Sequence, residues 1–287
     1  METDVVILAY DFAKAGAQAI ANEFIKLGYR VEIVEPSRTS VLFSNQGNVA
    51  LIDQEEFTCK LVILRSINYI FPYLKPWLRT IRETGAQLLN GIESIDPTLD
   101  KALTLEILVN NKINIVPALS TIGTLRTLPF VGENLIKPAF GSGGRGIEKV
   151  TIESANKIIE SSNDTKPSIL EHNLIQPLVS PFGIDFRSVV LNGVQIAQTR
   201  RVAPDGRIAT NGKESHVTPS NIIEVEELGL KATKSLNLEF AAVDIIVHEN
   251  HYAVLEVNYS PGIEFTSMSS GVNIAEFLAK HSTKYLN

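Results

Sequence analysis

Short apolar runs alternate with segments of helical spacing through the first ninety residues, and that alternation leaves few folds open. Val5–Tyr10 is a continuous apolar run of strand length. Lys14–Leu27 carries Ala17, Ile20, Ala21, Phe24 and Ile25 at helical spacing and stops at Gly28. Arg30–Glu35, closed by Pro36, and Lys60–Leu64 read as further strands. Trp77–Thr84 reads as a helix ending at Gly85, and Gln87–Asn90 as a short strand. Strands alternating with helices imply a parallel open sheet with helices packed on it, so residues 1–95 are expected to form an α/β domain.

Beyond residue 95 the pattern changes. Asp96-Pro97 is expected to open a helix carrying Lys101, Leu105 and Leu108, which Asn110-Asn111 ends and Ile113–Pro117 leads out of. After it come hairpin patterns rich in β-branched residues: Asn134–Pro138, Gly146–Thr151, Arg187–Leu191, Val194–Arg201, Ala241–His248 and Tyr252–Val257. Tight turn signals such as Asn192-Gly193 join several of them. The expected architecture is therefore α/β followed by α+β with antiparallel sheets. Its segments are 1–95, a small subdomain over 96–179 and a C-terminal subdomain over 180–287.

Composition removes several function classes. At 287 residues, 44% hydrophobic and 20% charged, the chain can bury a large core and is not disordered. A net charge of −6 argues against a broad nucleic-acid surface. Cys59 is the single cysteine, which excludes an internal disulfide or cysteine-rich zinc site and fits a reducing cytosol. The acidic start followed by only six apolar or aromatic residues reads as a first strand and not as a signal peptide. No window approaches a membrane span. A soluble cytoplasmic protein with neither nucleic-acid nor membrane partners is the expectation.

The run NLIKPAFGSGGRGIEKV carries the most chemistry. Lys137 leaves an apolar strand, and Gly141, Ser142, Gly143, Gly144, Arg145 and Gly146 then lead into a second strand. Four glycines in six residues let backbone N–H groups approach phosphate oxygens, with Ser142 and Arg145 as further donors. A Walker loop opens a helix, and a dinucleotide fingerprint lies between strand and helix. A loop joining two strands fits neither, and fits a hairpin lid over a nucleotide better. A plain surface hairpin is the unadorned alternative.

AAVDIIVHENHYAVLEVNYSPGIEF reads as a hairpin turning at Glu249–His251. A three-residue loop pairs His248 with Tyr252 and so Asp244 with Glu256, while Asn258 shares the face of Glu256. Three oxygen ligands without His or Cys suit Mg2+. Two opposed acids repel unless something positive lies between them. The plain alternative is a polar, solvated strand face.

With these stretches together, the chain resembles the ATP-grasp superfamily, and within it the RimK-type α-L-glutamate ligases and LysX-type enzymes. The resemblance runs from about residue 90 to 280, strongest at DKALTLEIL, LIKPAFGSGGRGI, LIQPLV…GIDFR and VDIIV…VLEVNYSPGIEF. It implies an ATP-grasp fold, with residues 96–179 as lid and 180–287 as the magnesium-bearing subdomain. It implies that Lys101 and Lys137 hold ATP phosphates under the glycine loop, and that Gln176, Pro177, Leu178 and Val179 meet the adenine edge. Asp185 would contact the ribose, and Asn211 would lie near nucleotide and metals. Asp244, Glu256 and Asn258 would bind one or two Mg2+ ions, with Mn2+ as a substitute. NGKESH stands where RimK-like chains show Asn-Arg-Gly-Gly, so Lys213 is the nearest cation there. YSPGIEF is closer to the glutamate-ligase turn than to the LysX version.

The implied reaction is ATP-dependent joining of a carboxylate to an amine through an acyl phosphate, with ADP as product. Glutamate or another amino acid is the amine, and the acceptor a small carboxylate, coenzyme, carrier protein or peptide terminus. Arg187, Arg201 and Lys213 are the candidates for the positive donor that a tetrahedral oxyanion needs. Homo-oligomers are common among such enzymes. A non-catalytic ATP-binding module is the competing reading, motivated by NGKESH. A dinucleotide-dependent oxidoreductase is disfavoured, because AYDFAKAGA lacks the glycine fingerprint. Arg65, at a strand end, points to a neighbouring domain's substrate or to a surface salt bridge.

Overall fold

The computed structural model describes residues 3–67, 70–141, 144–164, 172–204, 207–210 and 215–286. The chain opens with β1 (Val5–Ala9), α1 (Lys14–Lys26) and β2 (Val31–Val34). A small antiparallel sheet follows, built from β3 (Thr39–Ser44), β4 (Gly47–Ile52) and β5 (Glu55–Glu56). Next come β6 (Leu61–Arg65), α2 (Phe71–Glu83), β7 (Gln87–Leu89), α3 (Ile92–Leu99) and α4 (Lys101–Asn110). The first sheet is parallel, in order β2-β1-β6-β7. β1 and β6 are buried at every position, as strands covered on both faces must be.

The second sheet is four-stranded, β10-β9-β11-β8, from β8 (Leu119–Thr121), β9 (Asn134–Pro138), β10 (Glu148–Val150) and β11 (Asn173–Pro177). Helix α5 (Ile152–Asp164) covers one face, where Ala155 and Ile159 pack on Ile136, Val150 and Ile175. The third sheet has five strands in order β14-β13-β12-β15-β16. They are β12 (Ile184–Leu191), β13 (Val194–Val202), β14 (His216–Pro219), β15 (Phe240–His248) and β16 (His251–Asn258). Helices α6 (Ile223–Ser235), α7 (Glu264–Ser270) and α8 (Ile274–Ser282) complete the chain. No helix among the described residues is long and apolar enough to cross a membrane.

The parallel sheet and the five-stranded sheet share their interior. One buried cluster runs from Val6, Val62 and Trp77 through Ile95 and Tyr259 to Val243 and Val225. A second joins Val5, Ile7 and Phe24 to Val189, Ala242 and Leu278. Asn90 locks the junction. Its side-chain N–H groups donate to the carbonyls of Phe240 and Tyr259, and its oxygen accepts from the Glu239 and Phe240 N–H groups. The four-stranded sheet keeps its own smaller core.

Helix α6 lies unusually close to β12. A β-carbon on Gly229 would stand 2.3 Å from Ser188 Oγ and 2.8 Å from Ser188 Cβ, and Ser188 is fully buried. Gly229→Ala is therefore expected to lose about 1–2 kcal/mol net, the clash outweighing the better helix propensity of alanine. Urea denaturation reads this directly; an unchanged midpoint would show that α6 does not pack so closely.

Four sequence expectations change in detail. The helix expected from Trp77 begins at Phe71, because Pro72 falls in its first turn and Pro76 lies only one turn further on. The helix expected at Asp96-Pro97 is two helices, broken at Asp100, whose side chain caps α4 by accepting the Ala102 N–H at 2.7 Å. The turn of the last hairpin has two residues, Glu249 and Asn250, both at positive φ, so His248 faces His251. A register shift between Asp244 and Ile245 restores the expected pairing of Asp244 with Glu256. Arg65 is buried and makes no surface salt bridge among the described residues.

Candidate functional site

One face of the five-stranded sheet changes character along its strands. Near α8 it is apolar, with Val189, Ala197 and Ala242 in the core. Two residues further along each strand the same face carries Arg187, Thr199 and Asp244. Register then places Arg201 opposite Asp185, and Glu256 beside Asp244. Asn258 lies two residues from Glu256, opposite Ala242, and is half-buried.

The two acids of β12 and β15 are held by arginines. Asp244 accepts from Arg187 Nε and Nη2, both at 2.8 Å, and pairs with Arg201 Nη2 at 2.9 Å. Asp185 accepts from Arg201 Nε and from the Thr210 hydroxyl. Burial by itself raises the Asp244 carboxyl, but Arg187 and Arg201 more than offset it and hold it down at about 2. Asp185 has one guanidinium and the charge of Asp244 nearby, and burial keeps its carboxyl above the ordinary value. Burial lowers Arg201, and Asp244 and Asp185 reverse that, so the guanidinium stays charged. Thr199 Oγ1 is buried on this face without a partner among the described residues.

Facing this network is a second group of charges from the smaller sheet. Ile136 and Ile175 pack toward α5, so alternation turns Lys137 and Gln176 to the opposite side. Lys137 is 7% exposed. Burial pulls its ammonium down to about 8, with Glu256 raising it and Lys101 lowering it further. Lys101, the first residue of α4, donates its N–H to Ala139 O at 3.1 Å and its Nζ to Gly141 O at 2.6 Å. Its Nζ also lies 3.8 Å from Glu256 Oε1. Lys101, Lys137 and Glu256, from three separated segments, thus meet in one place.

The remaining predicted residues fall around that cluster. Gln176 is buried and donates to Val116 O at 3.2 Å. Pro177 ends β11 opposite Asn134, and Leu178 N–H donates to Glu133 O at 2.8 Å, with Val179 next along the chain. Gly141, Gly144, Arg145 and Gly146 lead from β9 to β10. A β-carbon on Gly144 would lie 2.9 Å from Ala209 Cβ, so the glycine loop rests against the segment that runs toward Asn211. Ser142, Gly143, Asn211 and Lys213 lie outside the described residues. Thr199 and Thr210 were not anticipated. Strand register across the Asn192-Gly193 turn would have placed Thr199 beside Arg187, whereas nothing in the sequence marks Thr210.

A cavity of about 690 Å3 opens elsewhere, lined by Arg126, Glu133, Asn134, Lys149 and Thr151. None of the converging charges lines it. The charge cluster is therefore the better candidate site, since it has chemistry that a cavity alone lacks.

A RimK-like ATP-grasp domain model matches residues 98–281. The chain belongs to the RimK-like ATP-grasp family. The probable alpha-L-glutamate ligase of Haemophilus influenzae strain PittEE is 27% identical over 266 residues, covering 86% of this chain and 88% of that protein. Among solved structures, the ATP-grasp ligase PsnB complexed with minimal precursor superposes with a TM-score of 0.76 at 19% identity, over 99% of this chain and 100% of that one. A structure of PsnB with minimal precursor, Mg and ADP gives 0.70 at 20% identity, over 100% and 99%. The fold of this RimK-like chain is thus the ATP-grasp fold, with the parallel sheet and the antiparallel sheets described above.

The donor set of the RimK-like chain fits a magnesium nucleotide. Lys101 and Lys137 present two cations against one carboxylate, an excess of positive charge that suits a phosphate chain. Among the described residues no arginine is bonded to Glu256 or Asn258, so both offer oxygen donors to a hard cation. Asp244 would join only by sharing an oxygen already accepting from an arginine.

Proposed function

We propose that this protein is an ATP-dependent carboxylate–amine ligase that adds an amino acid, glutamate foremost, to a carboxylate-bearing acceptor. The observation carrying this reading is the meeting of Lys101 and Lys137 with Glu256 across two sheets. In this reading residues 1–95 and 180–287 form the floor and 96–179 the lid. Lys101, Lys137 and the glycine loop hold the phosphates. The segment Gln176–Val179 meets the adenine, and Asp185 and Asn211 lie against the rest of the nucleotide.

A substrate carboxylate oxygen attacks the γ-phosphorus, the bond to the β-phosphate oxygen breaks, and ADP leaves. An amine then attacks the acyl carbon, inorganic phosphate departs, and the amine loses a proton. Mg2+ at Glu256 and Asn258 would neutralise charge on the phosphates. The chain's own residues position and balance charge. Arg187 and Arg201 lie at the head of the polar face, held by Asp244 and Asp185, where an oxyanion would form; Lys213 is the third candidate. The name of the Haemophilus influenzae relative favours glutamate as the amine.

The test is phosphate release from ATP and Mg2+, with L-glutamate and a panel of carboxylate acceptors. Wild type is expected to release phosphate with at least one pair, and Glu256→Ala to release none while melting at the same temperature. Nucleotide binding with no release across the panel would favour the non-catalytic module that the NGKESH run suggests.

A further inference from the structure

Arg65 ends β6 at the carboxyl edge of the parallel sheet, where open α/β sheets take their ligands. Its residue is 3% exposed. Nη2 donates to Pro261 O at 2.6 Å, but Nε and Nη1 are buried with no partner among the described residues. A guanidinium carries five N–H donors, and leaving most of them unpaired away from water is costly. Burial pulls the group down to about 10, against Glu264 and Tyr259. The residue after it, Ser66, sits at φ 54° and donates its N–H to Ser260 Oγ at 3.0 Å. The sheet edge is thereby clamped to the Ser260–Gly262 turn.

Glu264, the first residue of α7, approaches the same space and acts on Arg65 through it. A β-carbon on Gly16, in the first turn of α1, would lie 3.0 Å from Glu264 Oε1 and 3.5 Å from Arg65 Nη2. One cation and one carboxylate thus converge over a bare backbone position. β16 carries Glu256 and Asn258 and runs straight into the turn that Arg65 holds. Pro261 is three residues past Asn258, at most about 10 Å of chain.

We propose that Arg65 and Glu264 form a subsite for a free α-amino acid, Arg65 taking the α-carboxylate and Glu264 the α-ammonium. The subsite lies between the parallel sheet and the β16–α7 turn, and Gly16 is its floor. It explains why a buried guanidinium keeps unpaired donors. The proposal rests on the ligase reading and names the end of the site from which the amine arrives.

The experiment is calorimetric titration of L-glutamate into protein loaded with Mg2+ and a non-hydrolysable ATP analogue. Glutarate, which lacks the α-ammonium, is the control. Wild type is expected to bind L-glutamate at least tenfold tighter than glutarate. Arg65→Met is expected to weaken L-glutamate at least tenfold, leave analogue affinity within twofold, and not lower the melting temperature; Arg65→Lys recovers part of the loss. Glu264→Gln narrows the gap between the two ligands. Gly16→Ala, which favours the helix, keeps the fold and loses L-glutamate. A lower melting temperature in Arg65→Met with unchanged L-glutamate affinity would show an interdomain brace and overturn the subsite. So would failure of L-glutamate to bind analogue-loaded wild type. Failure of wild type to bind the analogue strikes the ligase reading itself, and the subsite with it.

Discussion

Lys137→Met is expected to cut ATP-driven phosphate release roughly 10²–10³-fold, the loss typical of removing one preorganised donor to a developing charge. The fold should survive, since methionine fills a similar volume and removes a charge from a site that is 7% exposed. The lysine also predicts two opposite trends with pH. Its ammonium is pulled from 10.5 to about 8 in the folded chain, burial being the largest cause. Between about 8 and 10.5 the unfolded chain then holds more protons than the folded one, so stability rises with pH across that window. Nucleotide affinity should move the other way, weakening above about pH 8 as the cation is lost. Lys137→Arg keeps its charge and should flatten the nucleotide trend. Parallel pH titrations of melting temperature and nucleotide affinity check this; a flat wild-type affinity between pH 7 and 10 would take Lys137 away from the phosphates.

Asp244→Ala should be the most destabilising single change at the site. It leaves Arg187 and Arg201 without the carboxylate that both now bind, at a cost of about 3–5 kcal/mol for an uncompensated buried charge. In a chain of this size that is a fall of roughly 10 °C in melting temperature. Acid should reproduce part of the effect. The folded carboxyl lies below the unfolded value of 3.8, so its contribution is complete above about pH 4 and is lost as pH falls through about 2. Differential scanning calorimetry of the variant and a wild-type acid titration measure both. A shift under 2 °C would mean that the arginines find other partners.

The pattern of the chain disclosed the parallel sheet, because strands buried on both faces read as unbroken apolar runs such as Val5–Ala9 and Leu61–Leu64. It did not disclose β3 and β4, whose apolar stretches Val41–Phe43 and Val49–Ile52 are short and, in β3, largely exposed. Asp244 and Glu256 came out paired although the turn was read one residue too long, since the register shift at Ile245 made up the difference. The grouping of Lys101 with Lys137 was legible through family resemblance alone; 36 residues and an intervening strand separate them. The arginine grip on Asp244 was not legible at all. It depends on pairing strands 57 residues apart, which no local pattern encodes. The same holds for Arg65, whose side-chain hydrogen bond to Pro261 O reaches 196 residues along the chain.

The common interior of the parallel and five-stranded sheets, pinned by Asn90, constrains how the chain can be divided. Expressed alone, the first ninety residues would lose the part of this interior that Val225, Val243 and Tyr259 supply, and a fragment starting at residue 180 would lose the part that Ile92 and Ile95 supply. Residues 119–177 differ, for their sheet and α5 bring their own core. Breathing wide enough to admit a nucleotide should therefore be confined to this piece. Its ties include the two hydrogen bonds from Lys101 to Ala139 and Gly141, so the residue proposed to grip phosphate also serves as a door latch.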